Sequence, residues 1–284
     1  MAIDAAKVKE LRERTGLPMM ECKKALEEAG GDIEKSIEEL RKRGAKAQEK
    51  LAGREARKGR IGNYVSDDGR IGALVTLRCE TEPVANNDQF QVFVKQLVDI
   101  VVEERPADAE SFKKCALPSG GTVADGLTEL INQLRENMFL GPFARFEADA
   151  IGQYVHFDDK KAGMVALKGN SLSDEKVATV GKELGMHIVF SKPRALSRDD
   201  LDPEYLAKEK EIRLAAAKND PKNAKKPPEI LEKILEGQMN KLAKEICLLE
   251  QPFVKDDKVS VEKHLKAIGA GVTIEKFIYA ATDA

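Results

Sequence analysis

The segment IGNYVSDDGRIGALV at 61–75 is echoed by IGQYVHFDDKKAGMVAL at 151–167. Both read Ile-Gly-x-Tyr-Val, then a polar turn with two aspartates, then a glycine ahead of an apolar return strand. In the first copy, Ile61, Tyr64 and Val65 are followed by Asp67-Asp68-Gly69 and by Ile71, Leu74, Val75 and Leu77. That pattern predicts a β-hairpin closed by an Asp-Gly turn, because both residues tolerate the backbone angles such a turn requires. A second echo runs in the same order: TEPVANND (81–88) matches EQPFVKDD (250–257) from its proline onward. Two ordered echoes predict two related α+β subdomains packed together, the second interrupted by an insertion.

Between the copies the period changes from strand to helix. Phe90, Phe93, Val94, Leu97, Val98 and Val101 fall on one helical face. A second helix starts at Thr122, an N-cap candidate, and carries Val123, Leu127, Leu130, Ile131 and Leu134. A strand over Phe143–Ala148 completes this half. Within the second copy, Asp202-Pro203 opens a helix poor in core-type residues up to Lys218. PKNAKKPP (221–228) reads as a tip loop, and the returning helix carries Ile230, Ile234, Leu242, Ile246 and Leu249. This insertion is expected to be an antiparallel helical hairpin, or short coiled coil.

The N-terminal residues read as three short helices. Val8 and Leu11 mark the first, which Thr15-Gly16 stops. Pro18 suits the first turn of the second, and Met19, Cys22, Leu26 and Ala29 follow at helical spacing. Gly30-Gly31 ends it, Asp32 caps the third, and Ile33, Ile37 and Leu40 give that helix its buried stripe up to Gly44. Residues 45–59 (AKAQEKLAGREARKG) are highly charged and read as a linker with some helical character. The expected layout is a three-helix module at 1–44, the linker at 45–59, and one core subdomain at 60–149. The other core subdomain is built from 150–191 and 250–284, and the hairpin is inserted at 192–249.

Composition excludes several classes. With 47 basic against 49 acidic side chains, the net charge of −2 offers no electrostatic case for nucleic acid or an anionic membrane. No apolar stretch approaches the ~20 residues of a membrane span, and the N-terminus lacks the pattern of a signal peptide. Cys22, Cys79, Cys115 and Cys247 are scattered, as expected of reduced thiols in a cytoplasmic protein. His156, His187 and His264 form no ligand pair, so no metal is expected. There is no phosphate-binding Gly-x-x-x-x-Gly-Lys-Ser/Thr loop and no nucleophile elbow, and no cofactor is expected. Asp67-Asp68 and Asp158-Asp159 are explained by turn chemistry, Tyr64 and Tyr154 by packing, and the cysteines as small core residues. A binding protein is the reading that remains.

VKELRERTGLPMMECKKALEEAGGDIEKSIEELRKRG (8–44) resembles the start of the elongation factor Ts family at nearly every position. The family pattern appears here as Leu11-Arg12, Thr15-Gly16, Met19-Met20, Glu21 to Leu26, Gly31-Asp32 and Leu40 to Gly44. Its second signature, Cys-Glu-Thr-Asp-Phe-Val-Ala, appears as Cys79 to Ala85, with Glu82-Pro83 in place of Asp-Phe. Its third, CLLEQPFV, stands unaltered at 247–254. The resemblance spans almost the whole chain. It implies a ubiquitin-associated-like N-terminal module, a duplicated core with a helical insertion, and a protein that is not an enzyme. The implied function is guanine nucleotide exchange on elongation factor Tu during translation, the partner being met in its GDP-bound and nucleotide-free forms.

On the same resemblance, Thr81, Glu82, Pro83 and Val84 would disturb Tu's magnesium and phosphate site. Glu82 keeps the family's charge with one more methylene, whereas Pro83 cannot supply an aromatic wedge. Arg12, Met19 and Met20 would grip Tu from the N-terminal module; alternatively both methionines fill its small core. Some longer members end in a further helix that docks on Tu, and with GVTIEKFIYA (271–280) so near the end that contact is expected to be missing or reduced. Three rivals stand beside exchange: a Tu-binding relative without it, a ubiquitin-type interaction module, and an RNA-binding accessory protein.

Overall fold

In the computed structural model the described residues are 4–169, 174–219, 226–268 and 271–283. The chain is a mixture of helices and small antiparallel sheets, as the α+β expectation requires.

Three helices come first: α1 (Ala5–Thr15), α2 (Met19–Glu28) and α3 (Ile33–Leu51). Asp4 caps α1 by accepting from Ala6 N, and Gly16, at φ +65°, ends it with its N–H on Arg12 O. Asp32 caps α3 through Lys35 N at 3.0 Å. Their core is Val8, Leu11, Leu17, Cys22, Ala25, Leu26 and Leu40, with Ile33 and Ile37 at its edge. Leu17, not Met19, fills the place beside Cys22. One expectation is corrected in α3. Gly44 does not end the helix; it is buried where α3 crosses a later helix, and a Cβ there would lie 3.2 Å from Asn132 Nδ2. The helix continues to Leu51 because Ala45, Lys46, Ala47, Gln48, Glu49 and Lys50 are good helix formers.

The first half of the core follows. Strands β1 (Lys58–Val65) and β2 (Ile71–Cys79) pair through the Asp-Gly turn, with Asp68 accepting from Ser66 Oγ and Arg70 N. Then come α4 (Glu82–Ala85), α5 (Asp88–Glu104), α6 (Ala109–Lys114), α7 (Val123–Leu134) and β3 (Phe139–Glu147), which closes a β1-β2-β3 sheet. Asn87 caps α5, and Thr122 with Asp125 forms a capping box on α7. The apolar stripes of α5 and α7 meet β2 in one core that includes Phe90, Leu97, Val101, Phe112 and Ile131. Strand β3 begins four residues earlier than the apolar run suggested.

The second half repeats the strand order. Strands β4 (Ala150–Val155) and β5 (Lys161–Lys168) are followed by α8 (Asp174–Ser191). The helix pair α9 (Pro203–Asn219) and α10 (Pro228–Ile246) comes next, and these two helices pack on each other. Most of the expected tip loop lies outside the described residues. After it come the short pair β6 (Pro252–Phe253) and β7 (Asp256–Ser260), then α11 (Val261–Ile268) and β8 (Thr273–Ala281), giving a β4-β5-β8 sheet. Helix α8 lies so close to β4 that a Cβ on Gly181 would meet Gly152 Cα at 2.5 Å.

The two segments of the second sequence echo do not occupy equivalent places in the structure. TEPVANND makes α4 and the cap of α5, whereas EQPFVKDD lies just ahead of α11. The segment before α11 corresponds instead to the turn before α7: Val123 N donates to Cys115 O, and Val261 N to Gln251 O, at 2.9 and 3.0 Å.

The two sheets pack face to face. Ile61 and Leu74 from one meet Ile151, Ala162, Met164 and Ala166 from the other. Strands β2 and β5 are thus buried on both faces, which is why GALVTL and AGMVAL are continuously apolar and do not alternate. Contacts across this interface are reciprocal. Ile61 N donates to Asp159 O at 2.8 Å and Ile151 N to Gly69 O at 2.7 Å. Asn63 and Gln153, 90 residues apart, meet side chain to side chain at 3.0 Å. Both acceptor residues have positive φ, +68° at Gly69 and +55° at Asp159.

Candidate partner-binding site

Thr81 to Val84 form the start of the one-turn helix α4, directly after β2. The turn is held on two sides. On one, the Glu136 carboxylate accepts from Thr81 N (3.0 Å), Thr81 Oγ1 (2.5 Å) and Glu80 N (3.1 Å). Thr81 therefore spends its hydroxyl on Glu136 and makes no side-chain cap on α4. Glu80 returns the contact, its Oε1 accepting from Asn137 N at 2.6 Å.

On the other side lies the β4–β5 turn of the second half. Lys160 Nζ reaches Glu82 Oε1 at 2.7 Å, and Lys58 Nζ approaches the same oxygen at 3.8 Å. Arg60 donates to Asp158 O at 3.1 Å and also to the Asn86 side chain. The hydrogen bond from Lys160 is the main cause holding the Glu82 carboxyl below its ordinary range, opposed by slight burial and helped by the nearby charges of Lys160, Lys58 and Arg60. Glu82 is thus an anion at neutral pH, partly neutralised by its neighbours. Pro83 is exposed at the crest of the turn, while Ala85 is buried beneath it.

Met19 and Met20 are exposed, at 54% and 71%, so neither fills the core of the first three helices. Arg12 is exposed on α1. The methionines and the α4 turn are tied to the same short loop after α7. Arg135 pairs with Glu21, next to Met20, while Glu136 binds Thr81. Gln133 Nε2 also donates to Thr15 O at 2.6 Å, and Thr128 Oγ1 to Gln48 Oε1 at 2.9 Å. The three-helix segment is thereby seated on α7.

Sequence reasoning did not single out Glu136 or Lys160. Neither belongs to a motif that marks its role, and each meets its partner only through folding. The other candidates for chemistry behave as structure. Cys79 is buried and donates to Thr81 O at 3.3 Å; burial above all, with Glu136 nearby, pushes its thiol up to about 12, so it holds its proton and is no nucleophile. Burial likewise raises Cys115 and Cys247. Tyr64, read as a packing residue, is 37% exposed at the sheet edge, where the strand's side chains turn to solvent. Among the described residues no group of His, Cys, Asp and Glu could hold a metal ion, and no helix is long and apolar enough to cross a membrane.

Comparison with known proteins places this architecture among relatives. The family model described as Elongation factor TS matches residues 80–282. Elongation factor Ts of Azoarcus sp. is 45% identical, the match covering 95% of this chain and 88% of that protein. Elongation factor Ts of Trichlorobacter lovleyi is 41% identical over 98% of this chain and 91% of its own length. Elongation factor Ts of Amoebophilus asiaticus is 38% identical, with 98% of each covered.

Proposed function

The chain belongs to the elongation factor Ts family and acts in translation elongation as a nucleotide exchange factor for elongation factor Tu; we propose that the Thr81–Val84 turn is the part that disturbs Tu's magnesium and phosphate site. The observation that carries this reading is the clamping of the turn. A carboxylate and an exposed proline are presented on a single turn fixed by Glu136 on one side and Lys160 on the other. A fixed element loses little freedom on docking, so more of its contact energy is available to deform the partner.

A GTPase holds GDP largely through its phosphates and magnesium. A carboxylate brought beside that site offers magnesium a competing oxygen ligand and repels phosphate oxygens. Any preference for the nucleotide-free partner must, by linkage, weaken GDP by the same factor. Tu would be engaged in both its GDP-bound and nucleotide-free forms. No bond in Tu or in this protein is made or broken in that scheme, and the raised thiols of Cys79, Cys115 and Cys247 fit a factor without covalent chemistry of its own.

Met19 and Met20, adaptable apolar side chains on the first turn of α2, are proposed to grip Tu together with Arg12. We read residues 1–44 as a ubiquitin-associated-like module and 60–149 as one core subdomain. Residues 150–191 with 250–284 are read as its duplicate, and 192–249 as an inserted coiled-coil hairpin. The reciprocal hydrogen bonds at Ile61 and Ile151 support the duplication. The balanced charge supports a protein partner over nucleic acid or a membrane, and the four free cysteines suit the cytoplasm.

The test is stopped-flow release of a fluorescent GDP from Tu with catalytic amounts of this protein. Strong acceleration that saturates is expected. The double variant E82A/P83A should slow release with little loss of binding, and unchanged release would remove the role given to the turn. Tight binding without acceleration would mean a Tu-binding relative that lacks exchange.

A further inference from the structure

We propose that Phe157 is an apolar anchor of the same exchange surface, docking its ring on Tu beside the Thr81–Val84 turn; this rests on the exchange reading above. At 88% exposed, Phe157 leaves more of itself in solvent than any other large apolar side chain among the described residues. A lone exposed apolar residue is ordinary on a protein surface. Three features set this one apart.

The first is its support. Phe157 sits in the β4–β5 turn, whose backbone is closed by His156 N on Lys161 O at 2.8 Å and Asp159 N on His156 O at 2.9 Å. The His156 ring lies 4.5 Å from the Phe157 ring, and its Nδ1 is 3.0 Å from the Tyr154 hydroxyl. The ring therefore stands on an ordered aromatic base. A ring resting against a neighbour has less side-chain freedom to lose on binding than one without a contact.

The second is its position. The same turn carries Lys160, in contact with Glu82, and Asp158, whose carbonyl accepts from Arg60. Phe157 is therefore three residues from a direct contact with the candidate exchange turn, within ~11 Å along an extended chain.

The third is asymmetry between the two hairpins. In the repeat, Phe157 corresponds to Asp67. The turn holding Asp67 packs through Gly69 and Arg70 against Ala148 and Ile151, away from α4. Of two matching turns, the one touching α4 carries the aromatic side chain. With 88% of its surface exposed, the phenylalanine adds little to the core. It brings the large apolar area that Pro83, at the crest of the turn, lacks, and aromatic anchors of this kind dominate binding energy at interfaces.

The experiment compares wild type, F157A and F157L for GDP release from Tu, for equilibrium binding to nucleotide-free Tu, and for thermal stability. F157A is expected to weaken binding and slow release at sub-saturating concentration by about tenfold or more, with F157L intermediate and Tm unchanged. Wild-type acceleration with F157A within about twofold in both assays overturns the anchor while leaving the α4 turn in place. No acceleration by the wild type overturns the exchange reading, and this anchor with it.

Discussion

Lys160 and Glu82 lie 78 residues apart in sequence and 2.7 Å apart in space, so one half of the core holds the turn that the other half presents. The pair is partly exposed, and such pairs contribute roughly 0–1 kcal/mol to stability. Its importance is positional. K160M should leave Tm nearly unchanged while weakening the protein's stimulation of GDP release from Tu by about threefold to tenfold, which stopped flow reads directly. Wild-type release by this variant would mean that the turn keeps its geometry without the lysine.

Glu136 is the stronger clamp, with three hydrogen bonds from the 80–81 backbone and the Thr81 hydroxyl. E136A should cost about 1–3 kcal/mol in urea denaturation, because charge-assisted bonds are lost and the freed Glu80 amide lies partly buried. GDP release should fall more than binding does. E136Q, which keeps an acceptor, should recover most of the stability.

The first three helices separate packing from binding. L17A removes a buried side chain and should destabilise by about 2–5 kcal/mol. The M19A/M20A double variant should stay within about 0.5 kcal/mol of wild type per site, since both side chains are exposed, yet bind Tu more weakly. Calorimetric binding of the stable double variant is the deciding measurement, and unchanged affinity would strip the methionines of their role.

His187 sets a pH limit. It is fully buried; Val254 N donates to its Nδ1 at 3.2 Å, which leaves the proton on Nε2 facing Gln251 Oε1 at 3.0 Å. Burial, the larger effect, lowers its pKa from 6.5, although the Gln251 contact pulls the other way. The unfolded chain therefore takes up a proton near pH 6.5 that the folded chain refuses. Stability from this residue is present above pH 6.5 and is lost as pH falls below it toward the depressed folded value. Denaturation midpoints between pH 7.5 and 5 should decline in that direction, and NMR should find the His187 ring neutral where an exposed histidine is charged.

Much of the architecture was legible because it rests on local rules. Asp-Gly at a turn, Thr122 with Asp125 at a helix start and the stripe from Phe90 to Val101 each depend on neighbours within a few residues. The first hairpin echo was legible too, since the two turns meet reciprocal partners and so retain similar residues. The second echo misled because Pro and paired acidic residues suit many helix starts and turns alike. Of the candidate site, the α4 turn was found by resemblance, while its two clamps were not found at all.

What the sequence by itself determined was the alternation of strand and helix, the hairpin chemistry, the balance of charge and the family. Tertiary structure alone decided which glycines stop a helix and which let elements touch. Gly16 ends α1 in the left-handed region, whereas Gly44, Gly181 and Gly185 lie inside helices at close approaches. Helix α8 was not read from the sequence; its Gly181 and Gly185 lie where β4 packs against it. Tertiary structure also decided that Met19 faces solvent while Leu17 is buried, and that Lys160 and Glu136 converge on one turn. A surface charge or a missing side chain carries no local signal, because its effect depends on whatever the folded chain brings within a few ångströms of it.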